Sequence, residues 1–237
     1  MNTILDQDQA YSKEITRDFF KNVYGYMFGG LMISGLIAYT YGTPEFFAEH
    51  FLKADGTGIS PLFYVVSFAP VGLGLLIQMM YQRLSFGLLL LLFAVFSGLM
   101  GLSLSTVLLV YSGQDVAVTF FVTAGAFGGM AILGYTTQTD LTKFGSLMYM
   151  GFIGIFIAGI ANMWIGSDFL GYVISIIGVF VFTGLTAYYM QKLKGIASDT
   201  SLSGIDRSKL ALVGGLQLYI LFINLFMSLL NIIGGRD

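Results

Sequence analysis

The chain has 237 residues, of which 56% are hydrophobic and only 10% charged, with a formal net charge of −2. That leaves too little polar surface to coat a soluble helical domain, and no basic patch suggests nucleic acid. With no cysteine there is no disulfide, no thiolate nucleophile and no Cys-ligated metal site, and nothing implies a cofactor.

Residues 1–22 carry Asp6, Asp8, Glu14 and Asp18 and lack an apolar run, so they read as a cytoplasmic amino-terminal segment and not as a cleavable signal peptide. Seven apolar stretches follow: 23–41, 62–81, 86–111, 116–135, 144–165, 169–190 and 210–233. None contains a charged residue. A hydrocarbon core about 30 Å thick takes roughly 20 apolar helical residues to cross, and each stretch is close to that or longer. The runs are continuous, whereas a membrane barrel would show alternating segments of about ten residues. Helices also close their backbone hydrogen bonds within each segment. The expected fold is an all-α membrane protein, a seven-transmembrane-helix bundle over 23–233 in the lipid bilayer, with 234–237 as a short outer tail.

Two connections are longer than turns. The outer one, 43–61, contains the breakers Pro44, Gly56, Gly58 and Pro61. The inner one, 191–209, is rich in Ser, Gly and Lys; its basic residues set topology, with contact to anionic headgroups as the sharper alternative. Lys13, Arg17, Lys21, Arg83, Lys143, Lys192, Lys194, Arg207 and Lys209 fall on one side of the seven spans, and only Lys53 and Arg236 on the other. By the positive-inside rule the amino terminus is cytoplasmic and the carboxyl terminus outside. The absence of an evident targeting segment fits a bacterial inner (plasma) membrane.

Gly25 with Gly29, Gly125 with Gly129, and Gly154 with Ala158 have the small-xxx-small spacing that lets helix backbones approach closely. Packing within the bundle is the simpler expectation and homodimerisation the alternative.

Enzymatic readings lack parts. His50, the single histidine, lies in the outer connection, so no histidine base or multi-histidine metal site forms inside the membrane. Gly101-Leu102-Ser103 sits in mid-span with no basic partner. No span holds an aspartate for an intramembrane aspartyl protease, or a lysine for a Schiff base. No catalytic residue is assigned.

The informative residues are the neutral polar ones in the spans. Gln217, Leu221, Asn224, Ser228 and Asn231 step by four, three, four and three, which places them along one face of the seventh span. Amides in hydrocarbon need partners, so this face looks into the bundle or a wet cavity. Thr183, Thr186 and Tyr189 make a similar edge on the sixth span, and Asn162 adds an amide near the outer end of the fifth. Interhelical hydrogen bonding and the lining of a pathway are the two readings, and the sixth and seventh spans are expected to meet through these edges.

Four segments stand out: Phe19-Phe20-Lys21-Asn22-Val23-Tyr24, the run Gly134-Tyr135-Thr136-Thr137-Gln138-Thr139-Asp140-Leu141-Thr142, Phe182-Thr183-Gly184-Leu185-Thr186-Ala187-Tyr188 with Gln191-Lys192-Leu193-Lys194, and Leu218-Tyr219 with Phe222-Ile223-Asn224-Leu225-Phe226. In these the chain resembles the Bax inhibitor family, the transmembrane Bax-inhibitor-motif proteins. The resemblance covers nearly the whole chain. It implies a seven-helix bundle with a central C-terminal helix, and an activity among those associated with the family: a passive calcium leak gated by pH, protection from cell death in eukaryotes, or modulation of an ATP-dependent membrane protease in bacteria. In the leak, two aspartates on the last two helices titrate as a unit.

This chain departs from that pattern at both positions. The family's Ala-Tyr-Asp-x-Gln stands as Ala187-Tyr188-Tyr189-Met190-Gln191, and its Leu-Tyr-Leu-Asp-Phe as Leu218-Tyr219-Ile220-Leu221-Phe222. A phenol with an ordinary pKa near 10 does not titrate around neutrality, and leucine does not titrate at all. Tyr189 is expected to reach Asn224 or Gln217 with a hydrogen bond that holds the bundle closed. Two functions remain: a non-enzymatic modulator or binding partner of another membrane protein such as a membrane protease, and a pH-insensitive leak channel or transporter for calcium, another cation or small solutes. Neutral side chains and carbonyls can replace a hydration shell, so the missing carboxylates bear on gating more than on conduction.

Overall fold

Apolar runs of this length can satisfy their backbone only as helices, and helices are what the chain forms. The computed structural model describes residues 2–53, 57–199 and 201–234, with side chains from residue 13 onward. Nine helices follow in order among the described residues: α1 (Asn2–Tyr41), α2 (Pro44–Phe51), α3 (Pro61–Met80), α4 (Phe86–Ser105), α5 (Val107–Val110), α6 (Gly113–Thr136), α7 (Thr142–Ile165), α8 (Asp168–Ser198) and α9 (Gly204–Ile233). Seven helical segments are long and apolar enough to cross a membrane, α4 and α5 together making one of them. Gly56 and residues 235–237 of the expected outer tail lie outside the described residues.

Three boundaries differ from the sequence expectation, for one reason. Helix α1 begins well before residue 23, α8 continues through Ser198 and α9 starts at Gly204, so most of the expected inner connection 191–209 is helical. Hydropathy marks where a helix leaves hydrocarbon, whereas the backbone can stay helical in water. The outer connection also holds structure. Thr43 caps α2 by accepting from the Phe46 backbone N–H at 3.2 Å, Pro44 opens the helix, and Phe51 packs edge-on against Phe63 at 5.5 Å. An isolated antiparallel bridge joins Leu52 to Ile59.

The helices cluster into two units. The first takes α1 to α5 and α9 through Tyr219; the second takes α6, α7, α8 through Ile196, and α9 from Ile220. Within the first unit, glycines let helices approach closely. A Cβ at Gly101 would lie 2.8 Å from the Ser34 carbonyl oxygen, and one at Gly215 the same distance from that of Val23. Tyr219, fully buried, packs edge-on to Phe93 and Phe96.

In the second unit Gly134 seats α6 on the backbone of Ala187, while Gly145 and Gly184 bring α8 against α7. Phe222 receives the edges of Phe120 and Phe127, both at 5.5 Å. Burial is uneven: 67% of the most apolar window of α9 is buried, against 6% for α7. The carboxyl-terminal helix is the central one.

Within the chain the small-xxx-small pairs do not make the close helix contacts expected of them. A Cβ at Gly25, Gly29, Gly125, Gly129 or Gly154 would meet nothing within 4 Å. Spacing puts two small residues on one face of a helix but does not say which way that face points. The glycines at close contacts are others.

Candidate functional site

The polar stripe on α9 and its surroundings in the second unit form the candidate site. Helices α8 and α9 run antiparallel there. Asn231 Nδ2 donates to Ser175 Oγ at 2.7 Å and to the Gly171 carbonyl at 3.3 Å, and one step along, Gly178 faces Ser228, whose Oγ would lie 2.6 Å from a Cβ at 178. The α8 face that meets this stretch of the stripe is therefore Gly171, Ser175 and Gly178. Its four-and-three spacing matches that of the stripe and is visible in the sequence.

The other edge expected on α8 behaves differently. Thr183 Oγ1 donates to the Val179 carbonyl at 2.6 Å, and the fully buried Thr186 to that of Phe182 at 2.7 Å. Both hydroxyls thus bond back to the preceding turn of their own helix. Tyr189 turns toward α7, where its hydroxyl is hydrogen-bonded to that of Tyr149. The expected bond from Tyr189 to Asn224 or Gln217 is replaced by this phenol pair. Asn224 Nδ2 donates to the Ile220 carbonyl at 2.8 Å, and Ser228 Oγ to the Asn224 carbonyl at 2.9 Å.

Leu221 is 2% exposed and interrupts the stripe with a buried apolar side chain. Gln217, on the part of α9 that belongs to the first unit, keeps its Oε1 buried without a hydrogen-bond partner.

Asn162 has a local duty. Its Nδ2 donates to the Ser167 carbonyl and its Oδ1 accepts from the Ser167 N–H, both at 3.1 Å, across the turn where Gly166 ends α7 in the left-handed conformation. It fastens the turn from α7 to α8 and is held there by two bonds. Glycine is the residue that adopts this helix-ending geometry without strain.

Tyr149 is the site residue that sequence reasoning missed. Its ring lies 6.1 Å from that of Tyr189 and 6.2 Å from that of Tyr188, all edge-on, and Lys192 Nζ sits 5.7 Å from the centre of the Tyr189 ring. No spacing along the chain signals this meeting, because it depends on the register of α7 against α8. Among the described residues no three of His, Asp and Glu are grouped to hold a metal ion.

The turn before α7 is clamped from α8. Gln191 accepts from the Leu141 N–H at 2.8 Å through Oε1 and donates to the Thr139 carbonyl at 2.8 Å through Nε2. Lys194 donates to the Tyr135 carbonyl at 2.9 Å. Within the turn, Asp140 accepts from the Thr142 hydroxyl and N–H. These two bonds, with a smaller contribution from Lys143, hold its carboxyl below the usual carboxylate range. Replacing Gln191 with alanine removes both bonds to the turn and is expected to cost about 1–2 kcal/mol. Thermal unfolding in detergent checks this, and Gln191→Glu, which keeps only the acceptor, should fall between the two.

Comparison with known proteins places the arrangement in a family. Residues 16–237 match the family described as "Inhibitor of apoptosis-promoting Bax1". The chain is 38% identical to the inner membrane protein YbhL of Escherichia coli over 92% of each chain. It is 41% identical to an uncharacterized protein of Caulobacter vibrioides, over 93% of this chain and 89% of that one, and 39% identical to one of Borreliella burgdorferi, over 94% of each. The chain is an integral membrane protein and belongs to the Bax inhibitor family.

Proposed function

We propose that this protein is a closed, non-enzymatic bundle that acts by binding or modulating another membrane protein, such as a membrane protease. One observation carries the reading: Thr183, Thr186, Asn224 and Ser228 bond back to their own helices, Asn231 bonds Ser175 across the α8 and α9 pair, and the positions of the expected carboxylate dyad hold a phenol paired with Tyr149 and a buried leucine. Such a seam has no group that changes charge near neutrality. Contact with a partner is then made by the outer faces of the helices or by the basic inner ends. The nine-to-two distribution of Lys and Arg supports an amino terminus, 1–22, in the cytoplasm and a carboxyl terminus outside. The inner-membrane name of the E. coli relative supports a bacterial inner membrane.

A second reading has one observation in its favour. The unpartnered, buried Gln217 Oε1 in mid-span is the kind of oxygen that could coordinate a water or cation, which suits a leak that ignores pH. Calcium flux into proteoliposomes separates the two. At both about pH 6 and about pH 8, the window in which a carboxylate dyad titrates, flux is expected to stay at the level of protein-free vesicles. A substantial, pH-flat leak lost in Gln217→Leu would establish the second reading. Steep acid activation would overturn both.

A further inference from the structure

A pocket in the first unit has the chemistry of a headgroup site. It is bounded by the α1 residues Ile15, Asp18, Phe19 and Asn22, and on α9 by Gly204, Arg207, Ser208 and Ala211, all within the first unit. Its volume is about 200 Å³. At about 30 Å³ per water molecule that is room for roughly seven waters, or a group of about eight non-hydrogen atoms.

Opposite charges line this pocket without neutralising each other. Asp18 and Arg207 share the cavity without forming an ion pair with each other, and the Arg207 charge also acts on the carboxylate of Asp199, outside the pocket lining. One arm of the Arg207 guanidinium donates to the Asp199 carbonyl at 2.7 Å, which fixes the side chain. Its Nε is buried and has no hydrogen-bond partner. A buried guanidinium N–H left open is costly unless a ligand meets it, and guanidinium matches phosphate geometry better than any other side chain. The carboxylate of Asp18, on the exposed side of the same pocket, is placed to accept from a cation on the same ligand.

Depth gives the third element. Phe19 and Ala211, both buried, form the apolar side of the pocket, and the long apolar runs of α1 and α9 start just beyond its polar residues, at Val23 and Leu210. Lys13, Arg17, Lys21 and Lys209 belong to the same end of these helices. This is the level of lipid headgroups.

We propose that the pocket binds a phosphate ester carrying a primary ammonium group, the phosphoethanolamine unit, and that membrane lipid supplies it. The Arg207 guanidinium donates to a phosphate oxygen, with Asn22 and Ser208 as further polar neighbours, and Asp18 accepts from the ammonium. A choline headgroup has no N–H to offer Asp18, and a glycerol headgroup has no cation.

The test uses full-length protein in detergent and native mass spectrometry, with phosphatidylethanolamine, phosphatidylcholine and phosphatidylglycerol of identical acyl chains. Ethanolamine lipid should be retained about tenfold better than either other lipid, the effect of one charge-assisted hydrogen bond. Asp18→Asn, a change at an exposed side chain, should bring ethanolamine and glycerol lipids to parity. Arg207→Gln should lower retention of both, and Arg207→Lys should restore part of it; helicity by circular dichroism confirms that each variant is folded. Equal retention of the three lipids by the unmodified protein overturns the proposal, as does an unchanged preference in Asp18→Asn. Soluble O-phosphoethanolamine that binds as tightly as the lipid overturns the lipid source.

Discussion

Gly134→Ala is expected to cost about 3 kcal/mol or more, enough to lower the melting temperature in detergent by roughly 10 °C or to prevent recovery of folded monomer. The added Cβ would overlap the backbone carbonyl of Ala187, and a helix backbone cannot step aside as the end of a flexible side chain can. To admit one methyl group, α6 and α8 must separate along their contact. The control is Gly125→Ala on the same helix, where the added Cβ meets open space. That change should be neutral or stabilising by up to about 1 kcal/mol, because alanine is the better helix former. Equal effects at the two positions would show that α6 does not pack on Ala187.

Restoring carboxylates at the dyad positions is the second large change. Leu221→Asp alone places a carboxyl where the leucine is 2% exposed, and should destabilise the bundle by about 3 kcal/mol, the scale of inserting an aspartate at the centre of a membrane helix. Tyr189→Asp alone removes the hydroxyl that meets Tyr149 and should loosen α7 against α8. Neither single variant should conduct. The double variant restores the pair that in the family's leak titrates as a unit, and should gain calcium flux that rises on acidification between about pH 8 and about pH 6. Flux unchanged from the parent would mean that no path adjoins these two positions.

How much of this was legible in the sequence depends on which physics writes each feature. The seven spans were readable because solvation acts on each residue separately: a charge in hydrocarbon is costly whatever its neighbours are. The alternation of four and three along α9 was readable because helix geometry fixes it, and Ser228 and Asn231 do face α8.

What depends on the register between helices was hidden. Tyr149 meets Tyr189 across two helices, and no local pattern encodes how far one slides along the other. Gly25, Gly29, Gly125 and Gly129 make no close helix contact within the chain for a related reason, since spacing defines a face but not its neighbour. Asn162 was misread although the information was present. An amide four residues before a glycine, at the end of a span, marks a helix terminus, and the residue had been grouped on polarity alone with a face read as interhelical or pathway-lining.

The deep burial of α9 bears on how the molecule is made. A ribosome delivers helices in chain order, and α9 emerges after the other eight. Until it arrives, Phe222 is missing from between Phe120 and Phe127, Ser175 lacks its amide partner, and Tyr219 is absent from the cluster with Phe93 and Phe96. Helix pairs such as α1 with α4 and α6 with α8 have close contacts of their own, at Gly101 and Gly134, whereas the aromatic clusters and the Ser175 bond are completed only when α9 joins.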